Sequence, residues 1–407
     1  MILKAKTYAG TAIAFFAAFF LGSLCLWHYF VYPTFLGEIE TGHGDLLRVG
    51  GIARVDAATE PRIYELHHTE FADYLKGLAL GEASTYDVLT IGDSFSNGGG
   101  GVYYQDILGA ETSLRILNVP APTGKLNAIE TYYVLERLGY LDRIQPRIVI
   151  LESVERYIDD RYGEKLLETP KTTDTELRQL IAPDTVGLPD RTREEGIVDS
   201  DGKDASKAEP DGQGADGQAQ TATGTENTGA ERLDWLFPPI MLNANGEYLV
   251  NKWFTLWHPD QLSSNTYCLR LTKPFFTNPG RENQLLFYDE ELAYTKRPIR
   301  TDMVNQNLET AAALAKRHGS RLYFMPVADK IDLYHPWLSD ADKARWGENP
   351  FIRELHAMAR TYTIIDTRAI LRPLLEQGEP DIWWQDDTHW TWKAAETISH
   401  AIKEMLS

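Results

Sequence analysis

The chain of 407 residues has little cysteine and fewer basic than acidic residues. Its two cysteines, Cys25 and Cys268, are too few for a disulfide-rich scaffold or for a metal site built from cysteines. Its 40 basic and 59 acidic residues give a formal net charge of −19, and no local run of basic residues is present. Such a chain has no general attraction for phosphate backbones, so we expect no nucleic-acid partner.

One long uncharged run is present near the N-terminus, from Ala9 to Tyr32. Its 24 residues exceed the roughly 20 that a bilayer-spanning helix needs. Lys4 and Lys6 precede the run, and by the positive-inside rule they keep the N-terminus in the cytoplasm. We therefore predict a cytoplasmic tip and transmembrane anchor at 1–33, in the bacterial inner membrane, with the rest of the chain in the periplasm.

A cleaved signal peptide is the alternative interpretation of this run. A signal peptide has an apolar core of about 7–15 residues followed by small residues. Here the run is longer and ends in the bulky residues Trp27, Tyr29 and Phe30, which favours an uncleaved anchor. A lipoprotein anchored through Cys25 is disfavoured, because Leu24 precedes the cysteine where a small residue is expected.

Short apolar runs alternate with helical patterns in the remainder of the chain. Such alternation predicts a parallel sheet covered by helices on both faces. We expect strands at Tyr86–Ile91, Arg115–Val119, Arg147–Leu151, Arg321–Met325 and Thr363–Asp366, and helices at Leu126–Leu138, Met303–His318 and Trp392–Met405. The length allows one large domain or two, and the pattern favours a single α/β domain at 34–407.

The segment 190–232 interrupts this pattern. It contains seven glycines and 11 acidic residues but no Leu, Phe, Tyr or Trp. It cannot bury enough apolar surface to offset the entropy of ordering. We predict a disordered insertion within one domain, because the α/β pattern resumes after it. A linker between two domains is the alternative.

The first candidate for chemistry is Ser94, within the run Gly92–Ser96 (GDSFS) that follows the first predicted strand. In open α/β sheets, ligands bind beyond the carboxyl ends of the strands. A serine there, at the start of the next helix, can present its hydroxyl to a substrate and its own N–H to an oxyanion. The simpler interpretation is that Asp93 and Ser94 only cap a helix.

The second candidate is the run Asp386–Trp390 (DDTHW), just before the last predicted helix. A hydroxyl nucleophile needs a base, and the base needs a carboxylate that fixes its tautomer. His389 and a neighbouring aspartate supply both. A surface turn with a single histidine is the simpler interpretation, since the chain has ten histidines. An early serine together with Asp-x-His near the C-terminus fits a serine esterase or acyltransferase.

These motifs resemble the SGNH/GDSL hydrolase superfamily, in particular its branch of exported polysaccharide O-acetyltransferases similar to the alginate O-acetylation proteins. Two further runs resemble that branch, Glu152–Arg156 (ESVER) after the third predicted strand and Asp329–Tyr334 (DKIDLY) after the fourth. The resemblance covers about 86–158 and 303–405. It implies a three-layer α/β/α flavodoxin-like domain with a central parallel sheet, an N-terminal anchor and an extracytoplasmic site.

The resemblance also implies roles for single residues. Ser94 would be the nucleophile, His389 the general base and acid, and Asp387 the carboxylate that orients the histidine. Asp386 is the rival for that last role, because the hydrolase pattern is Asp-x-x-His. Gly124 matches the second block of the superfamily and would give a backbone oxyanion donor. A simple turn glycine is the alternative.

Two departures from the family pattern concern the oxyanion donors and the acceptor. The third block, G-x-N-D, is absent, so the usual asparagine donor is missing. Glu152-Ser153 stands in its place, and Arg156 is the candidate substitute. In the alginate proteins the Asp-x-His element precedes the serine, whereas here it follows, as in ordinary SGNH hydrolases and in the teichoic-acid D-alanylation protein. The order of the motifs therefore leaves the acceptor of the acyl group undetermined, but it does not affect the prediction of serine-dependent acyl chemistry.

Glycines and tryptophans accompany the two motifs. The run Asn97–Gly101 lacks the Lys-Ser/Thr of a P-loop, so we interpret it as a flexible rim that lets a polymer approach Ser94. Tryptophans around His389 predict a groove that stacks on glycans, with core packing as the alternative. They are Trp383, Trp384, Trp390 and Trp392, and among them Trp390 is the predicted substrate contact. Trp253 and Trp257 belong either to that surface or to packing of the middle region.

We therefore predict a membrane-anchored serine O-acyltransferase that takes an acetyl group onto Ser94 and passes it to a hydroxyl of a cell-surface or exported polysaccharide. No metal or other cofactor is expected, because His67-His68 and the Asp386–His389 cluster lack a third spaced ligand. Since acetyl-CoA is cytoplasmic, the resemblance implies that a membrane-bound O-acyltransferase partner delivers the acyl group, beside the polysaccharide synthesis machinery.

Two other functions stay open on the sequence. An SGNH esterase or deacetylase would use the same triad, with water as the acceptor. A non-catalytic glycan-binding or assembly scaffold on a degenerate SGNH fold would not bring Ser94, Asp387 and His389 together.

Overall fold

The computed structural model describes residues 2–32, 44–46, 62–82, 84–122, 124–188, 241–258, 260–263 and 265–407. The insertion predicted at 190–232 lies outside the described residues, and so does most of the segment between the predicted anchor and residue 61.

The N-terminal helix α1 runs over Ile2–Leu26 and continues as a π-helical turn over Trp27–Val31. In the described part of the chain it is the one helix long and apolar enough to cross a membrane. Its segment Thr11–Val31 has a mean hydropathy of 1.7 and is almost entirely unburied. The predicted apolar N-terminal helix is therefore present, and its length and exposure suit an anchor or a signal sequence.

Eight strands build the β-structure of the described residues: β1 (His68–Glu70), β2 (Val88–Gly92), β3 (Ile116–Pro120), β4 (Ile148–Val154), β5 (Thr266–Arg270), β6 (Gln284–Tyr288), β7 (Arg321–Val327) and β8 (Thr363–Ile364). Six of them form one parallel sheet in the order β1-β3-β2-β4-β7-β8. All five predicted strands are present in it, to within three residues at each end.

Helices cover both faces of this sheet. Successive strand residues point to opposite faces, so Leu89 and Ile91 of β2 enter one core and Val88 enters the other. This confirms the predicted α/β/α layers. The helices after α1 are α2 (Phe71–Leu80), α3 (Tyr104–Glu111), α4 (Ala128–Arg137), α5 (Leu141–Ile144), α6 (Asp174–Ile181), α7 (Met241–Phe254), α8 (Asp289–Lys296), α9 (Thr301–Arg317), α10 (Lys330–Tyr334), α11 (Asp340–Arg345), α12 (Phe351–Ala357), α13 (Thr367–Glu376) and α14 (Trp392–Leu406).

The strand order reverses at β2, which has β3 on one side and β4 on the other. Without the edge strand β1, the order is that of a flavodoxin-like sheet, as predicted. Ligands in such sheets bind where the order reverses, at the carboxyl ends of the strands. Ser94 directly follows β2, so the fold puts it at the expected position. The sequence analysis missed β1 and the antiparallel hairpin of β5 and β6.

Candidate active site

Ser94 lies in a series of turns that directly follows β2. Its carbonyl oxygen accepts hydrogen bonds from the N–H groups of Asn97, at 3.1 Å, and Gly99, at 2.7 Å, and its side chain is exposed. These turns stand where a helix was predicted, so the alternative of a simple helix cap is wrong. Among the described residues the N–H of Ser94 has no hydrogen-bond partner, which leaves it able to donate.

Asp93 connects the serine turn to the end of β4. Its Oδ2 accepts a hydrogen bond from Arg161 Nη1 at 2.6 Å and another from the N–H of Val154 at 3.1 Å. Burial opposes ionisation of Asp93, but the charge of Arg161 and the hydrogen bonds that Asp93 makes with Glu152, Arg161 and Val154 together outweigh it and lower the pKa of Asp93. Arg161 also donates to Ser153 Oγ at 2.6 Å. The ion pair between Asp93 and Arg161 was not predicted from the sequence.

Glu152, which stands in place of the missing asparagine block, supports the same turn. Its Oε2 accepts a hydrogen bond from the N–H of Asp93 at 2.8 Å. Burial and the charge of Asp93 raise the pKa of Glu152 well above its usual range, which favours a neutral carboxyl group. A Cβ atom at Gly92 would lie 2.2 Å from that oxygen, so only glycine fits here.

His389 lies opposite the serine, in the turn before α14. Its Nε2 is 2.7 Å from Ser94 Oγ, and its Nδ1 is 2.6 Å from Oδ1 of Asp387. The N–H of His389 also donates to that Oδ1, at 2.8 Å. The carboxylate against the histidine is thus that of Asp387. Asp386, the predicted rival, is buried, and its carbonyl oxygen accepts a hydrogen bond from the N–H of Leu46.

The glycine-rich run after the serine is packed against the histidine. A Cβ atom at Gly99 would lie 2.3 Å from His389 Cδ2, and one at Gly100 would lie 2.4 Å from the carbonyl oxygen of Trp390. The Gly100 carbonyl oxygen also accepts a hydrogen bond from Trp384 Nε1 at 2.9 Å. The predicted flexible rim is therefore wrong at Gly99 and Gly100, because their role is to let the backbone approach His389 closely.

Asp45 is a member of the site that the sequence analysis missed. Its Oδ1 and Oδ2 accept hydrogen bonds from the N–H and Oγ1 of Thr388 at 2.7 and 2.5 Å. The N–H groups of Gly44 and Asp45 donate to Asp387 Oδ2 at 2.5 and 2.9 Å. Oδ2 of Asp45 also lies 3.7 Å from His389 Nδ1. No motif surrounds Asp45, so no sequence signal pointed to it.

The charges of this cluster stabilise a protonated histidine. Burial alone would lower the pKa of His389, but the charge and hydrogen bond of Asp387, together with the charge of Asp45, outweigh it and raise the pKa. Burial likewise opposes ionisation of Asp387, but His389 holds its pKa well below the usual range. Such a pair keeps the carboxylate ionised and the histidine ready to accept a proton.

The two runs that carried the family resemblance contribute buried groups that hold the turns of the candidate site in place. Lys330, fully buried, donates from Nζ to the carbonyl oxygens of Trp384, Gln385 and Asp387 at 2.6, 3.0 and 2.9 Å. The preceding Asp329 forms an ion pair with Arg156.

A second buried ion pair links the same two runs. Glu155, in the first, and Asp332, in the second, both contact Arg368 of α13, at 2.6 and 3.3 Å. The charged groups of Arg156, Asp329, Glu155 and Asp332 thus each have an oppositely charged partner inside the protein, which indicates a structural role.

Arg156, predicted as a substitute oxyanion donor, takes part in this internal pairing. Its Nη1 donates to Asp329 Oδ1 at 2.7 Å, and its side chain is almost fully buried. Its guanidinium group also lies over the ring of Tyr157. The contacts of Arg156 are therefore with protein groups, and its role as a donor stays a prediction.

Gly124 has a left-handed backbone with φ of 76°, which glycine adopts without strain. Within the described residues its N–H has no hydrogen-bond partner. It lines a cavity of about 210 Å³ beside the serine turn, together with Asp93, Glu152 and Arg161. Lys125 and Lys165 also line this cavity. The predicted oxyanion donor thus lies at an open polar space that Asp93, the residue before Ser94, also lines.

Three of the four tryptophans around His389 are core residues rather than a glycan groove, and the fourth, Trp392, is partly buried against the same core. Trp383, Trp384 and Trp390 are at most 1% exposed. The Trp390 ring packs against Phe95 with ring centroids 4.8 Å apart, and Phe95 packs against His389 at the same distance. The prediction that Trp390 contacts the substrate is therefore wrong in this structure, since no face of its ring is free. These rings support the histidine from within the core.

Asp45, Asp387 and His389 offer possible metal-ligand atoms within 4.8 Å of one another. Asp45 thus supplies the third ligand that the sequence pattern lacked. However, the oxygens of Asp387 and Asp45 accept hydrogen bonds from protein donors, and His389 Nδ1 faces Asp387. Such an arrangement fits a catalytic triad better than a metal site.

The comparisons with known proteins agree with this geometry. Residues 281–407 match the family model of the SGNH hydrolase-like domain, acetyltransferase AlgX. The match confirms the predicted resemblance to the SGNH superfamily and to its alginate O-acetylation branch, and it supports an acyltransferase or esterase of SGNH type. It includes Asp387 and His389, whereas Ser94 lies outside it. No curated protein and no solved structure gave a significant match.

Proposed function

We propose that this protein is a membrane-anchored serine O-acyltransferase that transfers acetyl groups to hydroxyl groups of a cell-surface or exported polysaccharide. The observation that carries the proposal is the continuous hydrogen-bonded chain from Ser94 Oγ through His389 to Asp387, at 2.7 and 2.6 Å. The acetyltransferase family matched by residues 281–407 supports acetyl as the acyl group.

In the first half of the reaction, Ser94 is acylated. Its Oγ attacks the acyl carbon of the donor while His389 Nε2 takes the hydroxyl proton. Asp387, bonded to Nδ1, stabilises the imidazolium ion that forms. The tetrahedral intermediate then expels the leaving group of the donor, which takes the proton from Nε2, and acetyl-Ser94 remains.

In the second half, the acceptor hydroxyl replaces the leaving group. His389 Nε2 takes the proton of that hydroxyl as its oxygen attacks the acetyl carbon. Collapse of the second tetrahedral intermediate forms the new ester and breaks the bond to Ser94 Oγ, which recovers its proton from His389. No group besides the donor and the acceptor is consumed.

Two backbone N–H groups are available to stabilise the oxyanion. Those of Ser94 and Gly124 have no hydrogen-bond partner within the described residues, and Gly124 lines the cavity beside the serine turn. Fixed N–H donors at the developing charge lower the barrier by several kcal/mol. This supports the backbone, rather than the missing asparagine or Arg156, as the source of stabilisation.

The same cavity is the candidate acceptor site. Its lining combines carboxyl groups with Lys125, Lys165 and Arg161, which suits a hydroxyl-rich sugar held by several hydrogen bonds. Because the tryptophans are buried, the acceptor is held by polar contacts rather than by aromatic stacking.

Chain length keeps this site close to the membrane. Gly44, which contacts Asp387, follows Tyr32 at the end of the apolar helix by only twelve residues. An extended chain of that length spans at most about 43 Å. This supports acyl delivery at the membrane surface by a membrane-bound O-acyltransferase partner, outside the cytoplasm. We propose no cofactor beyond the delivered acyl group.

Replacement of Ser94 by alanine tests the proposal. In cells, Ser94→Ala should abolish O-acetylation of the polysaccharide, measured by NMR of the purified polymer. Ser96→Ala is the matched control, because Ser96 belongs to the same motif but does not contact His389. In vitro, the wild-type protein treated with p-nitrophenyl acetate should carry an acetyl group on the peptide that contains Ser94.

The other candidate functions give different results in the same experiment. An increase in acetyl content in the Ser94→Ala cells would indicate a deacetylase. Unchanged acetyl content, with no acetyl-Ser94 formed in vitro, would indicate a non-catalytic scaffold and overturn the proposal.

A further inference from the structure

Helix α7 (Met241–Phe254) has its apolar and polar faces reversed relative to a helix that faces water. A water-facing helix exposes polar residues and buries apolar ones. Here the exposed positions follow helical spacing and include Leu242, Leu249, Val250 and Trp253, each more than half exposed. Leu256 and Trp257, in the turn that follows, are exposed by 77% and 70%.

The opposite face of α7 contacts the end of the N-terminal helix. Met241 and Ala244 are buried in one cluster with Trp27 and Val31. Asn245 Nδ2 donates a hydrogen bond to the carbonyl oxygen of Ser23 at 2.7 Å. The buried face thus contains an amide, while the large exposed side chains Leu242, Leu249, Val250 and Trp253 are apolar.

These contacts join α7 to the segment that is apolar enough to span a bilayer. The segment Thr11–Val31 has 21 residues, which as a helix are about 31 Å long and match the roughly 30 Å apolar thickness of a bilayer. Its side chains Phe16 and Phe20 are exposed, and the ring of Phe30 near its end lies 6.4 Å from that of Tyr248 of α7. The contacts with α7 lie between Ser23 and Val31, near the point where the chain leaves the membrane.

We propose that α7 and the turn after it form a second membrane contact, which inserts Leu249, Val250, Trp253 and Trp257 into the outer leaflet of the bilayer beside the N-terminal anchor. This inference rests on the anchoring part of the proposed function. Tryptophan is enriched at the membrane–water interface because its ring is apolar and its N–H is polar. Helix α7 has only two charged residues, Glu247 and Lys252, and Lys252 Nζ lies over the ring of Tyr248.

The contact links the segment that leads into the α/β domain to the membrane at a second point. The hairpin of β5 and β6 follows α7 in the chain, and its Leu286 packs against Leu46. Leu46 follows Asp45, which bonds to Thr388 in the site. A single flexible anchor leaves a domain free to rotate, whereas two contacts fix its orientation. A second contact would thus limit the rotation of the domain that carries Ser94 at the membrane surface.

Site-directed fluorescence in vesicles tests the proposal. The full-length chain, with Cys25→Ser and Cys268→Ser, would carry one new cysteine labelled with an environment-sensitive probe, at Val250→Cys or Trp253→Cys. It would be reconstituted into vesicles of phosphatidylcholine and phosphatidylglycerol without any other protein. Phe20→Cys in the anchor is the lipid control. Leu80→Cys, an exposed leucine of α2, is the water control.

We expect nitroxide-labelled lipids to quench the probes at 250 and 253 at least about twofold more than the probe at 80, and iodide in water to quench them less. The proposal is overturned if iodide quenches the probes at positions 250 and 253 as strongly as the probe at position 80 while it does not quench the probe at position 20. That result is also the one expected if the face binds a membrane protein partner instead of lipid.

Failure of the anchor gives a separate result. If iodide also quenches the probe at 20, anchoring itself is wrong, and the inference on α7 is overturned with it. The acyl-transfer proposal would still stand on the Ser94→Ala experiment.

Discussion

Asp45 accepts two hydrogen bonds from Thr388, the residue between Asp387 and His389, at 2.7 and 2.5 Å. Its own N–H donates to Asp387 at 2.9 Å. Burial and the charge of Asp387 raise the pKa of Asp45 to about 6. A segment outside the α/β pattern thus fixes both the carboxylate and the histidine of the candidate triad, and it places a second negative charge beside them.

Asp45→Asn should move the acidic limb of the pH–rate profile to lower pH. His389 must be neutral to act as a base, so activity rises as pH passes its pKa, which lies above the usual 6.5. Ionised Asp45 stabilises the imidazolium, as Asp387 does, whereas the charge of Arg156 destabilises it. Removing the charge of Asp45 therefore lowers that pKa. The measurement is kcat/KM for p-nitrophenyl acetate across pH.

The hydrogen bonds between Thr388 and a neutral amide are weaker than those to the carboxylate, so the pH-independent rate should also fall by about fivefold, which corresponds to roughly 1 kcal/mol. Asp340→Asn, at an exposed position of α11, is the control and should change neither quantity. An unchanged acidic limb in Asp45→Asn would show that Asp45 has no electrostatic effect on His389.

Asp387→Asn should reduce kcat by ~10³–10⁴-fold, because an amide beside Nδ1 favours the wrong histidine tautomer and cannot stabilise the imidazolium. Binding of the substrate should change little, since Asp387 is buried behind His389. Steady-state kinetics of ester hydrolysis measures both parameters. Asp386→Asn is the matched control. If it causes the larger loss, the assignment of the triad carboxylate to Asp387 is wrong.

Gly99→Ala should reduce kcat/KM by about 100-fold or more without unfolding the protein. The new Cβ atom would lie 2.3 Å from His389 Cδ2, so the ring must move, and a displacement of about 1 Å in a catalytic group costs that much. Gly347→Ala, where no atom lies within 4 Å of the new Cβ, is the control. Equal activity of the two variants would show that the ring accommodates the methyl group freely.

The sequence predicted the elements whose physical signal is local. The buried strands of the sheet are apolar runs bounded by polar residues, and all five predicted strands are present. Ser94 stands in a short motif after β2, and His389 stands in one before α14, at positions 295 residues apart that the fold brings together. Because ligands bind beyond the carboxyl ends of parallel strands, the position of Ser94 could be expected from the strand pattern, whereas its contact with His389 depends on the tertiary fold.

Other parts of the site depend on contacts that no local pattern encodes. The sequence around Asp45 shows no helical or strand periodicity. Its role in the site arises only because its segment contacts Thr388 in the folded protein. The composition of Asn97–Gly101 suggested flexibility, but the close approach of Gly99 to His389 is a tertiary constraint. Trp390 was a plausible sugar contact by residue type, and only its packing on Phe95 shows that it belongs to the core.

Lys330→Met should lower both stability and activity. The buried ammonium group donates to the carbonyl oxygens of Trp384, Gln385 and Asp387, and each buried acceptor left without a donor costs about 1–3 kcal/mol. We therefore expect the free energy of unfolding, measured by urea titration, to fall by about 3 kcal/mol or more. Lys316→Met, at an exposed position of α9, is the control and should change stability by less than about 0.5 kcal/mol. Because these carbonyl groups belong to the turn that carries Asp387, the ester-hydrolysis rate should fall in the folded Lys330→Met protein as well. A stable variant with the wild-type rate would mean that water replaces the ammonium group and that the turn keeps its shape without Lys330.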